Sequence, residues 1–184
     1  MNKQPSKNLL FPLGALIGIL ALGSVAGCGE GALDGTASMQ YALTGQVTGS
    51  YGSTTGTVVT SGSNHLTPVT KIIGYGNGSY IYGIKLFWGT DSFMYGWTGG
   101  ATADPLSGLD TDPVVTVKYL LTSGVLRGIK FTTFDGRNLE VGLTTATSTA
   151  FSDPDALFTD LQMWQGSVNG VSVLWGFKAY YTTP

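Results

Sequence analysis

The stretch IYGIKLFW at Ile81–Trp88 determines how this sequence is interpreted, because it returns twice more, as LRGIKFTTF at Leu126–Phe134 and as LWGFKAYY at Leu174–Tyr181. Each copy begins with an aliphatic residue, a variable residue and a glycine, followed by Ile or Phe, Lys and alternating apolar residues. The glycines stand at positions 83, 128 and 176, so the spacings are 45 and 48 residues. A period of this size is typical of a structural unit that a fold uses several times.

Apolar and polar residues alternate through each repeat and are bounded by Gly, Asn and Asp, a pattern that predicts strands and hairpins. The predicted strand pairs are Val69–Tyr75 with Tyr80–Trp88, Val114–Leu121 with Val125–Phe134, and Leu161–Gly166 with Val171–Tyr181. A third strand is predicted in two repeats, at Ser92–Trp97 and Asn138–Leu143. The exception to an all-β fold is Pro154–Leu161, where a short helical turn is expected.

Simple alternation places the variable residue before each glycine on the face expected to pack in the core. In the first copy this face carries Tyr82, Ile84, Leu86 and Trp88. Its counterparts are Arg127, Ile129, Phe131 and Thr133, then Trp175, Phe177, Ala179 and Tyr181. The glycine is expected where another backbone or an aromatic ring approaches closely. The repeated lysine is interpreted as a charge on the solvent side of a strand, with a ring of three cations that binds an anion as the alternative.

The first 28 residues have the three parts of a secretory signal. Two lysines precede the apolar segment Leu9–Leu22, and small residues then lead to Cys28. The segment Val25–Cys28 resembles the lipobox of bacterial lipoproteins, in which the cysteine is lipidated and becomes the mature N-terminus. Gly29, rather than Asp, follows it, which by resemblance to Gram-negative sorting favours the outer membrane. We therefore predict lipidation of Cys28, with a transmembrane anchor or an ordinary cleaved signal as the alternative.

This interpretation divides the chain into a signal peptide at 1–27, a Gly/Ser/Thr-rich tether at 28–65 and a domain at 66–184. The tether is expected to be partly structured, because Tyr41–Val47 and Thr57–Thr60 have strand-like content. Removal of the signal peptide leaves 157 residues, enough for one core, with seven basic side chains (nine less the two in the signal peptide) and eleven acidic ones. The net charge of about −4 argues against a nucleic-acid partner, which needs a basic face.

With these strands in place, the chain resembles the jacalin-related lectins over about 115 residues, from Leu66 to Tyr181. The segments that carry the resemblance are GSYIYGIKLFW at Gly78–Trp88, YGWTGG at Tyr95–Gly100, VKYLLTSGVLRGIKFTTFDGR at Val117–Arg137 and MWQGSVNGVSVLWGFKAYY at Met163–Tyr181. The resemblance implies the β-prism I fold, an all-β architecture of three antiparallel Greek-key sheets with pseudo-threefold symmetry.

The sequence departs from that family at the position that matters for its ligand. In the family an aspartate of the last hairpin accepts hydrogen bonds from sugar hydroxyls, and charge-assisted bonds of this kind are strong. Here that position is Trp175, and Tyr82 and Arg127 are its equivalents. A tryptophan can instead stack on the apolar face of a pyranose ring. The candidate carbohydrate-binding residues are Trp97, Gly99, Gly100, Asn169, Gly170, Ser172 and Trp175. The alternative for Trp175 is that it fills the core.

The other polar residues give little indication of a catalytic or metal-binding site. The only histidine, His65, has no nearby partner in sequence that would make a catalytic triad. Two aspartate groups could supply oxygen ligands to Ca²⁺, but their spacing fits no EF-hand and their Asp-Pro pairs are ordinary turn chemistry. These groups are Asp104, Asp110 and Asp112, and Asp153, Asp155 and Asp160. We therefore expect no enzyme, no metal and no cofactor.

The sequence predicts a carbohydrate-binding surface lipoprotein that recognises a glycan or polysaccharide through its hairpin loops without catalysis. Its membrane contact would be the N-terminal lipid anchor, in the cell envelope and at the outer membrane of a Gram-negative cell. The domain would face the periplasm or the exterior, and it could form a homo-oligomer. The alternative is a structural or adhesion module that binds protein partners and has lost sugar binding.

Overall fold

The computed structural model describes residues 44–62 and 66–183, which form fourteen β-strands. The strands are β1 (Thr44–Val47), β2 (Tyr51–Gly52), β3 (Thr57–Thr60), β4 (Lys71–Gly76), β5 (Ile81–Trp88), β6 (Asp91–Gly96), β7 (Ala101–Thr102), β8 (Leu106–Ser107), β9 (Val114–Thr122), β10 (Val125–Thr133), β11 (Asn138–Gly142), β12 (Ser148–Ser152), β13 (Leu157–Val168) and β14 (Val171–Thr183). No helix lies within the described residues, so none of them offers a helical membrane span.

These strands form three antiparallel sheets, one for each repeat, and the fold is the predicted all-β β-prism. The first sheet has the order β6-β5-β4-β7, with β8 also paired to β4. The second has the order β11-β10-β9-β12. The third has the order β1-β14-β13-β3, with β2 paired to β14. The third sheet therefore joins strands from the two ends of the described chain.

The tether expected at 28–65 contributes strands to this third sheet. Thr44–Val47 pairs with β14, from Thr44 opposite Thr183 to Val47 opposite Tyr180. Thr57–Thr60 pairs with β13 on the other side of the sheet. The signal peptide, Cys28, Tyr41 and His65 lie outside the described residues.

The helical turn expected at Pro154–Leu161 is wrong, because β13 begins at Leu157. Asp153 closes a tight turn instead, since its carboxylate accepts the Asp155 N–H at 2.9 Å and its carbonyl accepts the Ala156 N–H at 3.1 Å. Phe158 then points into the core, and the strand pairs with β14. The pairing of β13 with β14 thus determines the structure of this segment, rather than the local sequence that indicated a helical turn.

The inner faces of the three sheets enclose a single apolar core. The residues that follow each repeat glycine are fully buried there. They are Ile84 and Leu86, Ile129 and Phe131, and Phe177 and Ala179. Burial of each larger side chain contributes about 1.5–3 kcal/mol, so the repeat supplies one matched layer of the core from every sheet.

The repeated lysines lie on the outer faces of three different sheets, where each has its own contact. The Lys85 ammonium lies 5.0 Å from the Phe87 ring centre, and the Lys178 ammonium lies 5.9 Å from the Trp164 ring. Lys130 forms an ion pair with Glu140 at 2.6 Å. The solvent-side interpretation is confirmed, and the alternative of a cation ring is wrong because the three charges do not converge.

Candidate functional site

Each repeat contains a β-bulge at the variable residue before its glycine. In the first sheet Ile81 pairs with Gly76 and Gly83 pairs with Tyr75, so Tyr82 is left without a partner residue. The same shift leaves Arg127 unpaired in the second sheet and Trp175 unpaired in the third. A bulge inserts one residue into a strand and changes which residues point inward.

The expectation that Tyr82, Arg127 and Trp175 face the core is therefore wrong. The residues one position earlier are completely buried in the core instead: Ile81, Leu126 and Leu174. The three bulged side chains are only partly buried and lie outside the core cluster. The alternative in which Trp175 fills the core is wrong for the same reason.

Opposite each repeat glycine stands a second glycine with positive φ. The pairs are Gly83 with Gly96 (φ 80°), Gly128 with Gly142 (φ 83°) and Gly176 with Gly52 (φ 88°). A side chain on any of these glycines would collide with backbone of the facing strand. The predicted close approach is confirmed.

The residue after each positive-φ glycine holds the bulge in place through a backbone hydrogen bond. Its N–H donates to the carbonyl of the bulged residue. The bonds run from Trp97 to Tyr82 at 3.0 Å, from Leu143 to Arg127 at 2.8 Å and from Ser53 to Trp175 at 3.1 Å. The three bulged positions thus share one backbone geometry and carry three different side chains.

Trp97 is an exposed aromatic side chain fixed by contacts from two repeats. It is 44% exposed, and its indole N–H donates to the Ser172 carbonyl at 2.8 Å. Its ring centre lies 5.4 Å from that of Tyr82. The ring also covers Gly99, where any side chain would collide with it, while Gly100 packs on the Tyr82 ring. The contacts with Tyr82, Gly99 and Gly100 lie within the first repeat, but the bond to Ser172 joins the first repeat to the third.

The hairpin between β13 and β14 carries the other predicted polar residues. Asn169 (φ 52°) and Gly170 (φ 78°) form its exposed turn, in the backbone conformation that tight hairpins need. The Gln165 side-chain amide donates to the Ser172 hydroxyl. The structure thus brings Trp97 and Ser172 together and places Asn169 and Gly170 at the tip of the same hairpin.

The side chain of Trp175 is packed against its own sheet. Its ring lies over Gly166 of the neighbouring strand, at the point where a side chain of residue 166 would otherwise stand. Its buried indole N–H has no hydrogen-bond partner in the described part of the chain. Of the two tryptophans predicted for the site, Trp97 is 44% exposed, whereas the Trp175 ring packs against the neighbouring strand.

Charge is distributed very unevenly between the two ends of the prism. We call one end the hairpin end: it consists of turns 76–80, 122–124 and 168–170 with loops 52–56, 96–100 and 142–147. These segments contain no charged residue, and Arg127 lies beside them. The opposite end, at 89–91, 108–113, 134–137 and 153–156, carries six aspartates and Arg137.

Asp112 is the one buried aspartate among those six. Burial opposes its ionisation, but hydrogen bonds from Thr133 and the Asp135 N–H, together with the Arg137 guanidinium at 2.7 Å, outweigh that penalty. The pKa of the Asp112 carboxyl therefore lies below its ordinary value. Asp112 is used to close its loop, and the described residues bring no three His, Cys, Asp or Glu side chains into a metal-binding arrangement.

A cleft of about 260 Å³ opens at the hairpin end between the first and second repeats. Its walls come from Gly76–Gly78, Ala101–Ala103, Glu140–Gly142 and Thr144. The Asn77 side chain braces one wall, since its oxygen accepts the N–H groups of Ser79 and Tyr80, each at 2.9 Å. The sequence had indicated only a turn here, because the cleft forms between segments more than sixty positions apart.

Comparison with known proteins gave matches at the level of structure. No family model and no curated protein sequence matched this chain. A prostate-specific WGA16 glycoprotein lectin is similar at 20% identity with a TM-score of 0.54, over 74% of this chain and 99% of that one. Malaysian banana lectin is similar at 14% identity with a TM-score of 0.60, over 77% and 100%. A mannose-binding jacalin-related lectin from Ananas comosus is similar at 19% identity with a TM-score of 0.55, over 77% and 99%. At these identities the likeness shows a shared fold, that of the jacalin-related lectins.

Proposed function

We propose that this protein binds carbohydrate at the hairpin end of its prism and catalyses no reaction. The observation that carries the proposal is Trp97, an exposed indole whose position is fixed by Tyr82, Gly99 and the Ser172 carbonyl. A side chain already held in place loses little conformational entropy when a ligand binds. The fold that it shares with lectins favours sugar binding, but one fold can carry many functions, so the proposal rests on the residues of the site.

Recognition in this site would differ from the aspartate design of the family. An indole offers a flat apolar surface to the C–H face of a sugar ring. The polar partners near Trp97 are the turn of Asn169 and Gly170 and the Ser172 hydroxyl, all of them neutral. Neutral hydrogen bonds are about half as strong as charge-assisted ones. We therefore propose that stacking on Trp97 supplies more of the affinity than hydrogen bonding does.

Replacing Trp97 with alanine is expected to weaken glycan binding about tenfold or more, since loss of about 1.4 kcal/mol changes an affinity tenfold. Isothermal titration with a sugar selected from a glycan array measures this effect. Trp97→Phe should retain part of the affinity because it keeps an aromatic face.

The matched control is Phe134→Ala, which removes an aromatic ring that is 65% exposed. Phe134 lies at the acidic end, so this variant should bind sugar like the unaltered protein. Equal affinities for Trp97→Ala and the unaltered protein would contradict the proposed site.

We also propose that the domain is tethered to the cell envelope by a lipid on Cys28. That cysteine is sixteen residues before Thr44 in sequence (44 − 28). Thr44 begins β1, which pairs with β14 of the third sheet. Metabolic labelling with an azide-bearing palmitate should mark the unaltered full chain and not Cys28→Ala; equal labelling would contradict lipidation there.

A second function is favoured by the edges of the third sheet. No charged residue occurs between Thr44 and Gly62, and Val58 on the edge strand β3 is 50% exposed. Natural edge strands are usually protected by charge, and unprotected ones pair with other chains. A protein-binding or self-associating module would use this edge. In that case cross-linking on intact cells would capture a partner or a second copy, and glycan arrays would give no signal.

A further inference from the structure

We propose that Arg127 and the adjacent cleft between the first and second repeats bind an acidic sugar, with the guanidinium contacting its anionic group. The inference rests on the proposed function, because it names the class of glycan that the hairpin end recognises. It concerns a site distinct from Trp97, in a different repeat.

The guanidinium of Arg127 is held in one position by the neighbouring repeat. Its carbon lies 4.1 Å from the ring centre of Tyr80, and one of its nitrogens donates to the Ser79 carbonyl at 3.3 Å. The backbone below it is fixed by the Leu143 hydrogen bond to the Arg127 carbonyl at 2.8 Å. A guanidinium has five N–H donors, so most of them remain available in a fixed plane.

Among the described residues, no carboxylate forms an ion pair with Arg127. The ion pairs within the described residues are Lys130 with Glu140 and Arg137 with Asp112. Arg127 adjoins the hairpin end, whose turns and loops contain no charged residue, while six aspartates lie at the opposite end. An anion that approaches the hairpin end therefore meets an attractive charge and no nearby repulsive group from the turns and loops.

The cleft that lies beside Arg127 can receive the sugar ring. Gly78 of the cleft precedes Ser79, the residue bonded to Arg127, and Thr144 of the cleft follows Leu143. Its volume of about 260 Å³ and its glycine-lined walls suit one monosaccharide unit. One carboxylate, that of Glu140, also lines the cleft, and its charge is balanced by Lys130 at 2.6 Å.

The geometry of the guanidinium indicates which anionic group of a sugar it would bind. Its planar fork of donors matches the two oxygens of a carboxylate or a sulfate group, and paired N–H···O bonds of this kind are strong and directional. A guanidinium at this position thus favours sugar anions over neutral sugar hydroxyls. Uronic acids and sulfated sugars share this chemistry.

The test compares three trisaccharides on the full-length protein by isothermal titration: neutral galactotriose, trigalacturonate and sulfated galactotriose. We expect at least one anionic trisaccharide to bind about tenfold more tightly than the neutral one, with affinity that falls as salt rises. The comparison of trigalacturonate with the sulfated form distinguishes carboxylate from sulfate recognition. Arg127→Gln should reduce the affinity for the anion to that for the neutral sugar, and Arg127→Lys should retain only part of it.

Lys118→Gln is the matched control, because it removes a partly buried cation from the outer face of the same sheet. This variant should bind all three trisaccharides like the unaltered protein, and thermal melts should show that all variants fold. The inference is overturned if Arg127→Gln binds the anion normally or if neither anion binds better than galactotriose. Should galactotriose bind in a Trp97-dependent manner in that case, the proposed function stands and only this inference fails. Absence of binding to every sugar on the array contradicts both.

Discussion

Gly142→Ala is expected to destabilise the protein by about 2–5 kcal/mol, a large part of the 5–15 kcal/mol that holds a typical domain together. Gly142 has φ of 83°, where a non-glycine residue costs about 1–2 kcal/mol. Its new methyl group would also collide with the Arg127 carbonyl and lie 2.9 Å from the Ile81 side chain. The carbonyl cannot retreat without breaking its hydrogen bond to Leu143, and forced overpacking costs about 1–3 kcal/mol.

Urea denaturation of two matched variants separates the cost of the positive φ from the cost of the collision. Gly124→Ala places the same methyl group at a similar φ of 74° with no atom within 4 Å, so it should cost only the conformational part, about 1–2 kcal/mol. Gly128→Ala lacks the positive φ but collides with the Leu143 carbonyl, so it should fall between the other two. Equal losses for Gly142→Ala and Gly124→Ala would show that the close backbone approach contributes nothing to stability.

The fold could be predicted because its signals are local and repeated. Alternation in Ile81–Trp88 and its two copies identifies strands by the two-residue period of a pleated sheet, and the turns between them contain the glycines that hairpins require. Threefold use of one unit then limits the possible architectures, and the resemblance to jacalin-related lectins indicates the β-prism among them. The same reasoning recovers the solvent-side position of the repeated lysines, which depends only on the alternation after the glycine.

The candidate site could be predicted only in part, because its side chains are placed by features that sequence patterns do not report. A β-bulge reverses the inward and outward sense at Tyr82, Arg127 and Trp175, although their sequence spacing shows no irregularity. The alternation was therefore correct after the glycine and wrong before it. A repeated variable-Gly pair at the start of a strand is the signal that could have indicated the bulge.

Contacts between repeats are the other part that sequence could not supply. Trp97 reaches Ser172 and Arg127 reaches Ser79 across 75 and 48 positions, respectively. Asp160 shows the same limit: the sequence groups it with Asp153 and Asp155 as possible oxygen ligands, yet it is only 4% exposed and points into the interior. Its hydrogen-bond donors include Ser61 and Tyr95, and no local sequence pattern indicates that these residues lie beside it.

Asp160→Ala is expected to cost about 3–5 kcal/mol, the second large effect, because this one carboxylate satisfies three donors. It accepts hydrogen bonds from the buried Tyr95 hydroxyl, from Ser61 at 2.7 Å and from the Leu161 N–H at 2.7 Å. The bonds from Tyr95 and from the Leu161 N–H are buried, and each buried donor left without an acceptor costs about 1–3 kcal/mol. The bonds also join the first sheet to the third, since Tyr95 lies in β6 and Asp160 in β13. Urea denaturation measures the loss, and a change below about 1 kcal/mol would contradict this role.

Tyr95→Phe removes the hydroxyl that donates to Asp160, and it should also change how the free energy of unfolding depends on pH. Burial, and next the hydrogen bond to Asp160, raise the pKa of the Tyr95 hydroxyl above its ordinary value of 10.0. A hydroxyl whose pKa is raised on folding stabilises the protein fully below pH 10, and this stability falls as pH rises above 10, where the unfolded tyrosine ionises. Tyr95→Phe should therefore be less stable at pH 7 and lose less stability between pH 10 and 11 than the unaltered protein. Adding Tyr95→Phe to Asp160→Ala should cost less than the separate effects combined, because it removes a donor that the alanine had already left unpaired.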